Sequence, residues 1–517
     1  MVRVRFAPSP TGFLHIGSLR TALYNFLFAR KNKGKFILRI EDTDIKREIP
    51  GAVENLIRIL NLVGLKYNEG PFLFEATEKK PARIIQKGKY GPYLQSQRLY
   101  IYQNFAQKLV DHDKAYYCFC SAETLEKMRQ EQMAKKLPPM YDERCRKLNK
   151  SEIDKKIRER TPYVIRLKVP EQGIIKFKDL IRDEVEFDFK NIDDQILLKS
   201  DGYPTYHLAV VVDDHLMKIT HIIRGEEWLP SIPKHLLLYQ ALGWQPPKFA
   251  HLPLLLNPDR SKLSKRLGDV AVEEYLAKGY LPEAILNFVA LLGWNPGTDQ
   301  EIFSLKQLIK EFSLKKIQKA GAIFNRQKLD WMNGYYIRKM KIDKLTKKCI
   351  PYLIQVGLIQ FLISKQISKS KFQISETKEI ITPDWLKKIV GLEQERIKKL
   401  SDLAELADFF FKDKLDYDPQ ILAWKKMNKE DIINNLSLIK NKLEKLPEKL
   451  FKKEKIQDLL NELAKKQESG QIFWPFRVAL SGKKASPPPS EIAEILGKKK
   501  TIKRTEEAIG LLNQNNL

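Results

Sequence analysis

The first thirty residues constrain the fold most. Val2, Val4 and Phe6 alternate with Arg3 and Arg5, which predicts a strand with one apolar face. Pro8, Pro10 and Gly12 then break the chain, and Leu19, Leu23, Phe26 and Leu27 recur at helical spacing over Ile16–Lys31. Gly34 ends that run, Phe36–Ile40 reads as a second strand, and a helix is expected over about Gly51–Val63. Strand, loop, helix, strand, helix predicts a parallel α/β sheet.

At roughly 100–200 residues per domain, 517 residues predict about three to five domains. The longest apolar run, Phe288–Trp294, is far short of the ~20 residues a membrane span needs, and the alternating N-terminus has no signal-peptide core. With 92 Lys+Arg against 64 Asp+Glu, the net charge of +28 suits either a polyanionic partner such as nucleic acid or a lysine-rich, solvated surface. The excess is spread along the chain, which suits a long contact surface. Four cysteines, 118, 120, 145 and 349, fit a reducing cytoplasm.

Further along, residues 66–98 are rich in Lys, Gly and Pro and read as loop or insertion. Helices are expected over Leu99–Asp111 and Ser121–Lys136, the latter capped by Ser121, and Pro162–Phe189 is β-rich. Nucleotide-fold patterning returns at Gln195–Val212, with Asp213 and Asp214 in a turn after an apolar VVV strand, and at Thr220–Arg224. From about Leu281 the chain reads as helix, including Leu305–Ile317, Pro383–Phe411 and Lys429–Lys465. Pro487–Pro489 is expected as a rigid turn, and the end of the basic Lys483–Arg504 segment is expected to fray.

Two segments carry chemistry. In Phe6-Ala-Pro-Ser-Pro-Thr-Gly-Phe-Leu-His-Ile-Gly-Ser18, a strand end runs through a turn into a helix led by His15 and Gly17. Ligands of open α/β sheets sit at such strand ends, and a helix N-terminus offers N–H groups to phosphate. In Ser261-Lys-Leu-Ser-Lys-Arg266, cations and hydroxyls crowd one loop, which suits charge developing on a nucleotide's phosphates. Either segment alone has an ordinary reading, a capped proline turn or a solvated basic loop.

Together, HIGS at 15–18 and KLSKR at 262–266 resemble the HIGH and KMSKS signatures of class I aminoacyl-tRNA synthetases. FAPSPTG-x-LHIG, LRIEDTD at 38–44, GPY-x-QS-x-R at 91–98, GYPTYHLAVVVDDH at 202–215 and IRGEEW at 223–228 narrow the resemblance to the bacterial glutamyl-tRNA synthetase family, in order along the chain. The resemblance implies a Rossmann catalytic domain (1–115 and 195–256) interrupted by an inserted α+β acceptor-binding domain (116–194). A loop and stem-contact region (257–340) and an all-α anticodon-binding half (341–517) would follow. It implies ATP-dependent ligation of L-glutamate to tRNA(Glu) through a glutamyl-adenylate, with tRNA(Gln) as an alternative acceptor, in a cytoplasmic monomer using ATP with Mg²⁺.

By the same resemblance, His15, Gly17, Glu227, Lys262, Ser264 and Lys265 would hold ATP, and the two lysines its phosphates in the transition state. Arg5 and Arg224 would take the carboxylates of glutamate, Glu41 its ammonium, and Ser9 and Tyr206 further contacts. The residue types fit, since carboxylates favour Arg. Without the motifs, Arg5 and Glu41 would read as a structural ion pair. Asp42 and Asp44 are expected to be structural, with Thr43 capping. The five histidines from 207 to 251 are expected to be structural or tRNA-adjacent, and Trp331, Trp474 and Cys349 to lie in the core.

Cys118-x-Cys120 and Tyr141-x-x-x-Cys145 stand where some relatives carry zinc. Zinc takes four ligands. This chain offers three thiols, with Lys147 where a histidine would complete the set and Tyr141 an unusual fourth; a zinc site and a vestigial thiol cluster both fit. Arg396 is a candidate anticodon contact or part of a solvated helix face. Residues 72–90 depart from the family text as a basic insertion, able to touch tRNA or to remain a surface loop.

Overall fold

The structure, a computed structural model, describes residues 1–77, 81–263, 271–362, 371–465 and 467–514. β1 (Arg3–Phe6) is followed by α1 (Ile16–Lys31) and β2 (Lys35–Leu38), and the strands pair in parallel from Arg3↔Lys35 to Phe6↔Leu38. Leu19, Leu23 and Leu27 of α1 are fully buried. The return into β2 requires Gly34, because a Cβ there would stand 2.4 Å from the carbonyl oxygen of Val2. α2 (Ala52–Leu62) buries Leu56, Ile57 and Leu60.

The region expected as loop contains an antiparallel hairpin, β3 (Gly70–Phe74) and β4 (Arg83–Lys87). Its alternation is hidden in the sequence because the charged members lie over aromatic rings: Lys87 Nζ is 5.5 Å from the Phe72 ring, and the Arg83 guanidinium is 5.8 Å from that of Phe74. α3 (Leu99–Asp111) matches its expected bounds, and β5 (Ala115–Cys118) follows. Ser121 caps α4 (Ala122–Ala134), its hydroxyl accepting from Thr124 N at 3.2 Å. α5 (Lys150–Arg158) buries no residue and carries only Ile153 and Ile157 as an apolar pair; an Asn149–Glu152 capping box starts it.

β6 (Val164–Leu167), β7 (Ile174–Asp179), β8 (Asp183–Asp188) and β9 (Ile196–Leu198) fill the β-rich stretch. β5, β6 and β9 form an antiparallel sheet. The VVV run, expected as a strand, lies in α6 (Tyr206–Leu216). Leu208 to Val212 are buried consecutively, so the helix is apolar on all sides and shows no periodicity. Asp213 and Asp214 are therefore helical rather than in a turn. β10 (His221–Gly225), α7 (Ile232–Ala241) and β11 (Lys248–Leu252) form a second parallel crossover. Arg3 and Thr220 exchange hydrogen bonds at 2.9 Å, setting β10 beside β1. β7 hydrogen-bonds to β11 at Asp179↔Phe249.

β12 (Leu255–Leu256), α8 (Val272–Ala277), α9 (Pro282–Ala290), α10 (Leu305–Glu311) and β13 (Ala322–Ile323) complete one compact unit, Met1–Ala277 with Pro282–Arg326. The helix expected through Ile317 stops at Glu311 and gives way to a tight turn at Leu314–Lys316.

The second unit is Lys278–Leu281 with Gln327–Leu517. It holds α11 (Arg326–Arg338), α12 (Ile342–Gln355), β14 (Ile359–Phe361), β15 (Phe372–Ile374), β16 (Ile380–Ile381), α13 (Pro383–Glu393), α14 (Asp402–Leu406), α15 (Lys429–Lys445), α16 (Lys453–Ala464), α17 (Ser469–Ser481), α18 (Pro489–Leu496) and α19 (Lys498–Gln514). An all-α half is thus corrected: β14, β15 and β16 make a small antiparallel sheet, each strand too short to display alternation. Leu446 and Pro447 divide the expected Lys429–Lys465 helix, and the expected proline turn ends by opening α18 at Pro489.

Trp331, expected in the core, is 45% exposed on α11, whereas Trp474 is half-buried against Trp424 with its indole N–H on Ile421 O at 2.8 Å. Cys349 is buried. Arg504, expected on a fraying end, is instead buried, donating to the carbonyls of Leu480 at 2.6 Å and Lys412 at 2.9 Å. None of the described helices is long and apolar enough to cross a membrane.

Candidate active site

β1 delivers Arg5 to its C-terminal end, and the chain leaving β2 delivers Arg39 and Glu41. All three are buried, and an isolated buried charge is prohibitive, so each needs a partner. The partners come from α6. Asp214 accepts from Arg5 Nε at 3.1 Å and from Arg39 Nη1 at 2.7 Å. Asp213 accepts from Arg98 Nε at 2.7 Å, Gln95 Nε2 at 2.9 Å and Tyr102 Oη at 2.8 Å. Arg39 Nη2 also donates to Glu41 Oε1 at 3.1 Å. Three arginines thus face three carboxylates, an alternating lattice of the kind that holds reactive groups in one geometry. Burial opposes ionisation of Asp214, but Arg39 and Arg5 hold its carboxyl below the usual range. At Glu41 burial wins over Arg39 and Arg5, and its carboxyl lies above the usual range. Arg5 and Glu41 are each ion-paired, though not to one another.

Above this lattice opens a cavity of about 1100 Å³, lined by Arg5, Ser9, Glu41, Tyr206, Arg224 and Glu227 among others. The five residues expected to hold glutamate all border it. Asp214 occupies Nε and Nη2 of Arg5, and no hydrogen bond engages Nη1 among the described residues. Arg224, at the end of β10, donates from Nη1 to Tyr206 Oη at 2.6 Å. Tyr206 packs at 4.4 Å on Trp228, a wall residue the sequence reading did not select.

A smaller cavity of about 240 Å³ lies alongside, lined by His15, Gly17, Lys262 and Glu227. Ser18, Thr21, Gly225 and Glu227 border both spaces. His15 is the N-cap of α1, its Nδ1 accepting from Gly17 N at 2.9 Å. A Cβ on Gly17 would stand 3.2 Å from His15 Nδ1. Lys262 pairs across to Leu256, and Val272 N donates to Leu14 O at 2.9 Å, so both approaches to the basic loop are tied to this pocket. Ser264 and Lys265 lie outside the described residues.

Asp42 is structural as expected, accepting from Ser96 N and Oγ at 2.8 and 2.6 Å. Thr43 does not cap: Asp44 stands at the N-cap of the short Ile45–Arg47 turn and pairs with Arg47 at 2.7 Å. His207 and His235 hydrogen-bond at 3.1 Å behind Tyr206, and His215 stacks on Trp244 at 3.8 Å. The sequence reading missed Asp213 and Asp214 as the counter-ions of the site. The available signal was electrostatic, since arginines on an otherwise apolar first strand demand acids elsewhere.

Between the end of β5 and the start of α5, Cys118, Cys120 and Cys145 bring their sulfurs within 4.8 Å of one another. Tyr141 Oη is 3.3 Å from Cys118 Sγ and 3.5 Å from Cys120 Sγ, so the fourth candidate is drawn to the same point. The Cys145 thiol beside it holds Cys118 well below the usual thiol range, against burial and with help from Tyr141 and Arg166. In the second unit, Arg396 is not a free surface cation: Glu393 holds Nη1 at 2.7 Å and Ala485 O holds Nη2 at 3.1 Å.

Residues 1–331 match the family model of the catalytic domain of class I tRNA synthetases (E and Q), and 344–509 match an anticodon-binding domain. The chain is 46% identical to the glutamate–tRNA ligase of Alkaliphilus metalliredigens, over 98% of each chain, and 44% identical to that of Clostridioides difficile, over 97% of this chain and 98% of that one. A crystal structure of a glutamate tRNA ligase from Elizabethkingia meningosepticum in complex with its amino acid superposes with a TM-score of 0.83 at 36% identity, covering 99% of both chains. With its two adjoining pockets and full-length likeness to these proteins, the chain belongs to the glutamate–tRNA ligases of the class I aminoacyl-tRNA synthetase family.

Proposed function

We propose that the protein ligates L-glutamate to the 3′ end of tRNA(Glu) at the expense of ATP, through a glutamyl-adenylate. The observation that carries this reading is the common wall of the two cavities. The larger offers two arginines and one carboxylate, matching the two carboxylates and one ammonium of glutamate. The smaller offers a helix N-terminus, His15 and Lys262, matching a nucleotide with its phosphates and Mg²⁺. An α-carboxylate at the boundary lies beside the α-phosphate. Its oxygen attacks phosphorus, pyrophosphate leaves, and a ribose hydroxyl of the tRNA then attacks the adenylate carbonyl and releases AMP.

Arg5 would take the side-chain carboxylate through Nη1, Arg224 a carboxylate as well, and Glu41 the ammonium. An arriving ammonium also neutralises the excess cost of a buried Glu41 carboxylate. His15, Gly17, Glu227, Lys262, Ser264 and Lys265 would hold ATP. The chemistry supplied is mostly positioning and electrostatic stabilisation.

ATP–pyrophosphate exchange with glutamate or glutamine, with and without tRNA(Glu) and tRNA(Gln), tests this reading. Exchange confined to glutamate, with product on tRNA(Glu), is expected. Product on tRNA(Gln) too would mark a broader acceptor range. No exchange, with tRNA still bound, would make the protein a silent RNA-binding relative.

The cysteine cluster supports a structural zinc held by Cys118, Cys120 and Cys145 with Tyr141 as fourth ligand. The sulfur spacing suits a tetrahedral ion, and the core around it is small: Tyr116, Met128 and the cluster itself. Zinc would supply folding energy to this region rather than chemistry. Metal analysis of the purified protein, expecting about one zinc per chain lost in a Cys120→Ser variant, checks it.

A further inference from the structure

Behind Arg224 stands a second tier of polar groups that does not border either cavity. Arg224 Nε donates to His251 Nε2 at 3.2 Å, and His251 Nδ1 lies 2.6 Å from Asp179 Oδ2. The other Asp179 oxygen accepts from the backbone N–H groups of Ile181 and Arg182, each at 2.9 Å, and of His251 at 3.2 Å. Asp179, His251 and Arg224 are 1%, 0% and 5% exposed, so water substitutes for none of these bonds.

The donor arithmetic fixes every proton. Arg224 Nε carries only a hydrogen, so His251 Nε2 must be bare, and its Nδ1 must carry the proton donated to Asp179. Burial disfavours imidazolium at His251 against the pull of Asp179, so the ring is neutral. Of the five N–H groups of Arg224, His251 takes Nε, Tyr206 Oη takes one on Nη1, and Trp228 O at 3.4 Å takes one on Nη2. One N–H on each Nη remains, a two-pronged donor for a carboxylate.

We propose that Asp179 and His251 are positioning residues that select the histidine tautomer, thereby fix the plane of Arg224, and so set the glutamate requirement of the enzyme. The proposal rests on Arg224 as a carboxylate ligand. It also gives the β7–β8 hairpin a task, because β7 brings Asp179 into hydrogen-bonding range of His251 on β11.

Asp179→Asn tests it on the full-length enzyme. The asparagine keeps the oxygen that the backbone needs but turns its amide toward His251 Nδ1. The ring must then carry its proton on Nε2, against Arg224 Nε–H. The expected result is a rise of about tenfold or more in the KM for glutamate in aminoacylation, with the KM for ATP unchanged. His251→Leu removes the ring and with it any tautomer for position 179 to select. In the Asp179→Asn/His251→Leu double variant the asparagine is therefore expected to add no further rise in the glutamate KM over His251→Leu alone, whereas independent packing losses would add. If Asp179→Asn does not fold, His251→Gln against His251→Leu carries the same contrast, with only the leucine raising the glutamate KM. Arg224→Lys separates the two levels of the argument. A raised glutamate KM there, with no effect of Asp179→Asn or with additive effects in the double variant, overturns the positioning role and leaves the pocket reading intact. An unchanged glutamate KM in Arg224→Lys overturns the pocket reading itself.

Discussion

Arg5→Gln separates the two things Arg5 does. Toward the cavity it offers Nη1, and toward the interior it shares Asp214 with Arg39. A hydrogen bond to a charged group is worth about 1.5–3 kcal/mol, and the ion pair with glutamate places this one near the top. A loss of about 2–3 kcal/mol raises the glutamate KM about 30–150-fold, at 1.4 kcal/mol per factor of ten. The interior loss is milder than for an orphaned buried charge, which costs about 3–5 kcal/mol, because Asp214 keeps Arg39 at 2.7 Å. The variant should therefore fold, with a modestly lowered unfolding midpoint. The assay is aminoacylation over a glutamate titration at saturating ATP and tRNA, paired with an ATP titration and thermal unfolding. A glutamate KM within twofold of wild type refutes the carboxylate role, and a parallel rise in the ATP requirement would mean that Arg5 acts by holding the whole site together.

Lys262→Ala should slow pyrophosphate exchange about 100-fold, the scale of one electrostatic contact made in the transition state, with little change in tRNA binding by filter retention. His207 titrates abnormally: burial, then Lys234 and Arg224, push it down to about 4. The unfolded chain binds that proton near pH 6.5, so stability is lost as pH falls from about 6.5 to 4, by about 3 kcal/mol in total. In chemical denaturation over that range, His207→Asn should flatten the acid limb, and an unaltered slope would contradict the assignment. Gly34→Ala should lower stability by at least about 1–3 kcal/mol, since the new Cβ meets a backbone oxygen at 2.4 Å; a denaturation midpoint equal to wild type would show that the α1–β2 return is looser than described.

Much of the site was legible because its residues sit at strand ends and at a helix N-terminus, where alternation and periodicity locate elements well. Arg5, Glu41, His15 and Arg224 fall where β1, β2, α1 and β10 end or begin, and they converge as expected. What failed was burial without periodicity. α6 is surrounded by protein, so its apolar residues run consecutively and imitate a strand, and its two aspartates imitate a turn. α5 failed for the opposite reason, burying nothing. β14 to β16 are too short to alternate. Trp331 was misjudged because residue type alone does not say which face of a helix is covered. The Asp179–His251 pairing joins positions 72 residues apart, and no local pattern marks it.

The bonds between Arg3 and Thr220 have a consequence for synthesis. The first strand leaves the ribosome at the outset, yet its neighbour β10 and Asp214, the carboxylate that Arg5 shares with Arg39, arrive more than 170 residues later. At about 5–20 residues per second, the nascent N-terminus waits on the order of ten seconds or more with Arg5 unmatched and a sheet edge open. Closure of the catalytic sheet is therefore a late event, set by the arrival of α6 and β10. Slowing translation between residues 40 and 220 should lengthen the period in which the chain needs a chaperone, whereas slowing it beyond residue 330 should not.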